Sequence, residues 1–130
     1  MGEVKVYHNN AWKKVGGGYS LLTKTQSGSA SVGNTRTTIC TLSSLDSSGV
    51  YLVVGMIKYQ TSVNTEHGPA VSLNTGAWEY RCTHATTGER KYQVTGLLSG
   101  VSSVTLEART GASGVSATVS EGKLYAIRVA

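Results

Sequence analysis

The side chains that could do chemistry are few and widely spaced. The histidines are His8, His67 and His84, and the cysteines are Cys40 and Cys82. A Ser-His-Asp triad needs an oriented acid. Asp46 is the only aspartate, and it sits in the turn pattern Asp46-Ser47-Ser48-Gly49. No nucleophile-elbow pattern is present to let a glutamate take its place. A cysteine nucleophile would pair Cys40 or Cys82 with a histidine. Cys82 and His84 are two apart and share a strand face, but Trp78 and Tyr80 lie on that face too. This makes His84 a residue at the edge of a core rather than a base, and both cysteines buried, reduced thiols. One disulfide between them is the other possible state.

Metal-ligand spacing is missing, with no C-x-x-C and no H-x-x-x-H. Glu66-His67 with Asn64 could approach an ion, but the segment reads as a polar loop. The six glutamates fall in separate strands and turns, which gives a glycosidase-type acid pair no support. No Gly-rich phosphate loop leads into a helix. The expectation is a protein that is not an enzyme, with no catalytic residues, no metal and no cofactor. Binding is the stronger reading. Loops at the end of a rigid scaffold are where recognition sits. The polar interval from Gln60 to Gly68 offers Gln60, Asn64, Glu66 and His67, with Tyr59 at its base. Amide, carboxylate and aromatic groups together suit a hydroxyl-rich ligand such as a cell-surface glycan.

These residues need a scaffold, and composition says which kind. In 130 residues there are 16 glycines, one proline and no phenylalanine, and only 15% of residues are charged. That is a many-turned β domain with a neutral, hydroxyl-rich surface. The net charge of +5 comes from scattered lysines and arginines, and the only adjacent basic pairs are Lys13-Lys14 and Arg90-Lys91. A nucleic-acid surface would show a basic stripe with interleaved aromatics, so no nucleic-acid partner is expected. No run approaches the ~20 apolar residues of a membrane span, and Met1-Gly2-Glu3 leads into an amphipathic segment without the pattern of a signal peptide. Val6 stands where a myristoylation signal wants Ser or Thr. No membrane partner is expected.

The scaffold is organised around Gly49–Tyr59, the most continuously apolar run. Its β-branched and aromatic residues favour a strand. Val50, Leu52, Val54 and Met56 point one way, and Tyr51, Val53, Ile57 and Tyr59 the other, so both faces need cover. The last strand, Lys123 to Val129, is similar: Leu124 and Ala126 on one side, Tyr125, Ile127 and Val129 on the other. If the two are neighbours, one sheet carries an apolar outer patch, and such a patch marks an interface. A set of residues from the two strands, Tyr51, Val53, Ile57, Tyr59, Tyr125 and Ile127, is expected to cover a self-interface.

Other strands are expected at Ala30–Val32, Thr35–Leu45, Pro69–Leu73, Ala77–Thr86, Lys91–Leu98, Val101–Thr110 and Val115–Ser120. Turns are expected at Asn74-Thr75-Gly76, Thr87-Gly88-Glu89, Gly111–Gly114 and Glu121-Gly122. Residues 19–34 read as polar chain apart from Ala30–Val32. The fold class is therefore all-β: a sandwich or jelly roll of about eight antiparallel strands with no helix. Ahead of it, Val4–Tyr7 and Ala11–Val15 flank His8-Asn9-Asn10 as a short β-hairpin. Gly16-Gly17-Gly18 follows as a flexible joint. This divides the chain into an N-terminal attachment hairpin with its joint, 1–18, and the main domain, 19–130. Val4, Val6, Tyr7 and Trp12 are the candidate attachment residues.

The strand Gly49-Val50-Tyr51-Leu52-Val53-Val54-Gly55 and the closing Gly122-Lys123-Leu124-Tyr125-Ala126-Ile127-Arg128-Val129 resemble the C1q/TNF-like jelly-roll family. The resemblance covers roughly Ser29 to Ala130. It implies that these two strands lie side by side in one sheet and that the sheet packs around a three-fold axis, making a homotrimer. The segment Val4-Lys5-Val6 through Trp12 is similar to a "V-K-V-x-x-x-x-x-W" element of tailed-bacteriophage virion proteins, especially minor tail proteins. That element often occurs in tandem, and here there is one copy. Together the two imply a virion structural protein assembled in the host cytoplasm. It would be a minor tail, fibre or tail-tip component, joined to other virion proteins through the hairpin, with host-surface glycan as its candidate ligand. The alternatives are a capsid head-fibre or decoration protein, or a free C1q-like ligand-binding module. A glycan-cleaving enzyme is the reading from another class.

Overall fold

The computed structural model describes residues 5–8, 10–14, 21–61, 69–74, 80–81 and 88–130. The described strands are β1 (Lys5–His8), β2 (Ala11–Lys14), β3 (Leu21–Thr25), β4 (Ala30–Val32), β5 (Thr37–Leu42), β6 (Val50–Thr61), β7 (Ala70–Leu73), β8 (Tyr80–Arg81), β9 (Arg90–Ser99), β10 (Val104–Arg109) and β11 (Ala117–Arg128). No helix occurs among the described residues. Strands β1 and β2 form the expected hairpin, pairing His8 with Ala11, and Asn10 takes φ 60° as a tight hairpin turn requires.

The remaining strands make two antiparallel sheets. The first runs β3-β11-β6-β9, with β4 also paired to β11, and the second runs β5-β10-β7-β8. Leaving β4 aside, strands of the two sheets interleave along the chain so that the first and last strands of the domain are neighbours. This is the double Greek-key order of a jelly roll. The long run around Val53 and the closing strand do lie side by side. Their ladder extends from Ala117↔Thr61 to Arg128↔Tyr51.

Both strands bury one face against the second sheet. Tyr51, Val53, Ile57 and Tyr59 of β6, with Val119, Leu124 and Ala126 of β11, meet Leu42, Val71, Val104, Leu106 and Ala108 in one core. Each large apolar side chain so buried contributes roughly 1.5–3 kcal/mol. Tyr59 and Tyr92 add an edge-to-face pair, with ring centroids 5.9 Å apart at 83°.

Two expectations about elements change. Leu21–Thr25, read as polar chain, is edge strand β3. An edge strand with most of its side chains in water needs no apolar alternation, so its Thr-rich sequence hides it. Glu121-Gly122, read as a turn, lies inside β11. The ladder with β6 instead shifts register between Val119 and Glu121, a β-bulge at Ser120. Gln26 ties this bulge down: its N–H donates to Gly122 O (2.7 Å) and its side-chain amide donates to Val119 O (3.4 Å). Only Tyr80–Arg81 of the strand expected at Ala77–Thr86 falls in a described strand; Trp78, Cys82 and His84 lie outside the described residues.

Candidate functional site

The register of the first sheet fixes what its outer face carries. Partners across an antiparallel ladder share a face. Leu21, Ile127, Leu52 and Leu97 therefore form one row across β3, β11, β6 and β9. The next row is Thr23, Tyr125, Val54 and Thr95, and the one after it Thr25, Lys123, Met56 and Gln93. Glu121, Lys58 and Lys91 follow, and then Ser31, Thr118 and Gln60 across β4, β11 and β6. The face thus grades from aliphatic at one end, through ionic, to hydroxyl and amide at the other. At the aliphatic end Leu21 is 57%, Leu52 39% and Leu97 67% exposed.

The residues expected on a self-interface divide across this sheet. Tyr51, Val53, Ile57 and Tyr59 are not on the outer face: all four are buried inside the sandwich, between 0% and 4% exposed. Tyr125 and Ile127 do stand on the outer face, half-buried. The β6 residues that join them are Val50, Leu52, Val54 and Met56.

The ionic row is tightly made. Lys58 Nζ lies 2.7 Å from Glu121 Oε2, and Lys123 Nζ 2.9 Å from Glu121 Oε1. Hydrogen bonds from Lys58 and then Lys123 pull the Glu121 carboxyl down from 4.5 to about 2. A carboxyl lowered in the fold stabilises it above its ordinary value, and that contribution is lost as pH falls toward 2. NMR titration of the Glu121 side-chain carboxyl is expected to give a midpoint well below 4.5, rising toward the ordinary value in high salt, which screens such pairs. Glu121→Gln should flatten the loss of stability over this acid range.

At the polar end, Ser31, Gln60, Thr61, Ser116, Ala117 and Thr118 line an open recess of about 380 Å³. Its groups are neutral donors and acceptors, suited to a hydroxylated ligand. Gln60, a candidate ligand residue, is exposed here; its companions Asn64, Glu66 and His67 lie outside the described residues. On the hairpin, the rings of Tyr7 and Trp12 meet at a tilt of 60° with centroids 5.3 Å apart, and the residues are 60% and 69% exposed. The side chain of Val6 and all of Val4 lie outside the described residues.

The reactive side chains are occupied with structure. Asp46 accepts from Ser48 N (2.9 Å), Ser48 Oγ (2.7 Å) and Arg128 Nη1 (2.9 Å), while its own N–H donates to Tyr51 Oη (3.0 Å). The Ser48 bonds, with a smaller share from Arg128, hold its carboxyl below the usual carboxylate range. It pins the turn before β6 to the end of β11. Cys40 is a buried free thiol, and burial pushes its pKa up, away from the thiolate that reactivity requires. On the outside of the second sheet, Glu107 is 3% exposed and accepts from Arg36 Nη1 (3.1 Å), which also donates to Ser72 Oγ (2.7 Å). No sequence signal marks that ion pair, because Glu107 alternates with Thr105 and Arg109 as a solvent-facing residue would. Among the described residues no three His, Cys, Asp or Glu side chains gather as a metal site.

A jelly roll with one graded, partly aliphatic sheet face is the class that fold and surface define. No family model and no curated protein matches the sequence. Solved structures with a similar fold include a VP2 subviral particle of infectious bursal disease virus, with TM-score 0.59 and 13% identity over 94% of this chain and 36% of that one. A structure of the Gt strain of the same virus has TM-score 0.58 and 18% identity over 91% of this chain and 35% of that one. Dimeric latent PorU from Porphyromonas gingivalis has TM-score 0.57 and 13% identity over 85% of this chain and 13% of that one. These similarities are of fold. The chain spans about a third of the length of the viral proteins and less of PorU.

Proposed function

We propose that the chain is a non-enzymatic structural module of a virus particle, which self-associates through the outer face of its first sheet. The observation that carries this is the row Leu21, Ile127, Leu52 and Leu97, aliphatic across four strands and left uncovered by the described chain. The fold it shares with the bursal disease virus structures supports the viral setting. In the finer form of the proposal the particle is a tailed phage, the module belongs to a minor tail or fibre structure, and the assembly is a homotrimer. The three-fold stoichiometry follows from the C1q/TNF-like resemblance of the two central strands, and the tail location from the Val4–Trp12 element. The exposed Tyr7–Trp12 pair is then the contact to other virion proteins, and the neutral recess around Gln60 the place for host glycan. A capsid decoration protein is the second reading, favoured by the fold likeness to the VP2 subviral particle.

Two measurements test this. Mass spectrometry of density-purified particles of the virus that encodes the chain is expected to detect it as a stoichiometric component; its absence from the particles overturns the virion role. Light scattering of the full chain is expected to give a species of three times 13.6 kDa, or a whole multiple of that where trimers pair further. A monomer across the whole concentration range removes self-association. Failure to bind host envelopes would remove the receptor contact alone.

A further inference from the structure

The open edge of β9 carries a second inference, separate from the sheet's face. Val50 N–H donates to Ala130 O (2.9 Å), and Val50 O accepts from Val129 N–H (2.8 Å). Both backbone groups of Val50 therefore face β11. Along an antiparallel strand these groups alternate sides, so those of Tyr51 face β9, and the alternation continues down the unbroken register from Val50↔Ser99 to Tyr59↔Arg90. Leu98, Gly96, Val94 and Tyr92 bond to β6. Lys91, Gln93, Thr95, Leu97 and Ser99 direct N–H and C=O away from it. All five are exposed, and no described strand pairs with that side of β9.

Soluble proteins blunt such edges with proline, a bulge, a short strand or repeated charge. β9 has none of the first three, and the only charges on it are Arg90 and Lys91 at its start. The opposite edge of the sheet is shorter: by the same alternation β3 offers only Leu21, Thr23 and Thr25.

We infer that β9 pairs antiparallel with β9 of a second copy of this chain, about a two-fold axis at Thr95. In that register Lys91 faces Ser99 of the partner subunit, Gln93 faces Leu97 of the partner subunit, and the two Thr95 residues face each other. Each outward N–H and C=O finds a partner, no like charges meet, and Thr opposite Thr is a favourable cross-strand pair. A β3-to-β9 contact would leave part of β9 unpaired and would be head to tail, whereas the two-fold pairing closes at two copies. The contact is made in the plane of the sheet. Side chains on the face stand perpendicular to it, so an assembly on the face leaves this edge geometrically distinct.

The test is sedimentation velocity of the full chain over a wide concentration range, with two variants. The wild type should show an even-numbered species: a dimer, or a hexamer if the face also closes a trimer. Thr95→Pro removes an N–H that pairs with no described strand, as an edge strand tolerates. It should weaken the even-numbered step by at least about a hundredfold while cooperative unfolding is retained. Ser99→Glu, on an exposed site, puts a carboxylate opposite the partner subunit's Lys91 and should tighten the step roughly three- to tenfold at low salt. Lack of any even-numbered species overturns the inference, as does a folded Thr95→Pro that pairs at wild-type strength, or a Ser99→Glu that pairs no more tightly. A trimer without even multiples would leave the virion proposal intact and remove this edge contact alone.

Discussion

Gly122→Val is expected to abolish the cooperative fold at ambient temperature, and Gly122→Ala to weaken it severely. Gly122 lies in β11 opposite Ile57, on the face turned to the second sheet. A Cβ placed there would clash with Ile39 Cγ2 and stand 3.0 Å from Gln26 Oε1. Ile39 cannot withdraw freely, because it is itself buried at 7% exposure. Gln26 cannot either, since its backbone is bonded to Gly122 O and its amide holds the bulge at Ser120. Overpacking a core costs typically about 1–3 kcal/mol and occasionally more, and valine, which brings two methyl groups beyond the Cβ, lies past the upper end of that range. Against a domain stability of about 5–15 kcal/mol, that removes most of the margin. Urea unfolding followed by far-UV circular dichroism reads the effect. Ile39→Ala should restore part of the loss in Gly122→Ala, giving a coupling energy of about 0.5–3 kcal/mol in a double-mutant cycle. Additive effects of the two changes would contradict the close approach. Gly55 meets the same limit: its Cβ would stand 2.6 Å from Cδ1 of Leu106, which is itself fully buried.

These glycines also explain how much of the architecture the sequence discloses. The apolar run of β6 and the closing strand are legible as strands, and the two-sided character of both points to their shared sheet. Their phase is harder to read. In β6 the sets headed by Val50 and Tyr51 are both apolar, so alternation does not say which turns inward. The deciding residues were the small and the charged ones. Gly55 and Gly122 mark the face where a second sheet comes close. Lys58 and Lys123 mark the other, because an ammonium in a central strand must reach solvent or a carboxylate. Read together, they place Tyr51, Val53, Ile57 and Tyr59 inside.

The bulge at Ser120 hid the length of β11 for a related reason. Ala117 and Val119 face inward before it, and Gly122, Leu124 and Ala126 after it. An inserted residue flips the parity, and a strand whose alternation breaks at Ser-Glu-Gly looks like two strands and a turn. The ionic row depends on that bulge. By shifting the register it sets Glu121 directly across from Lys58, where the carboxylate reaches Lys58 and Lys123 together. No local sequence signal announces this, since it arises from the pairing of strands about sixty residues apart along the chain.

The pair of substitutions Leu52→Lys and Ile127→Glu is expected to dissolve the face-mediated assembly and leave the fold standing. The two positions are cross-strand partners at the centre of the aliphatic row. Neither belongs to the fully buried core, and Leu52 is 39% exposed. The new side chains have opposite charge and sit opposite one another, an arrangement that adds roughly 0.2–1 kcal/mol to a strand pair and offsets the lost contacts within the chain. Within an assembly the same two sites would be buried. Each leucine or isoleucine contributes roughly 1.5–3 kcal/mol when taken from full exposure to full cover; both are already about half-buried in the single chain, so the double variant forfeits about 1.5–3 kcal/mol per subunit, or one to two orders of magnitude in association constant. Light scattering should then report a monomer, or a dimer where the β9 edge pairs, and thermal unfolding should stay cooperative. Reversing both charges together, Leu52→Glu with Ile127→Lys, should behave alike, because the argument rests on lost aliphatic area and not on the sign of either charge. An assembly that survives both variants cannot be held by this row, and the uncovered leucines would then need an occupant other than the chain itself.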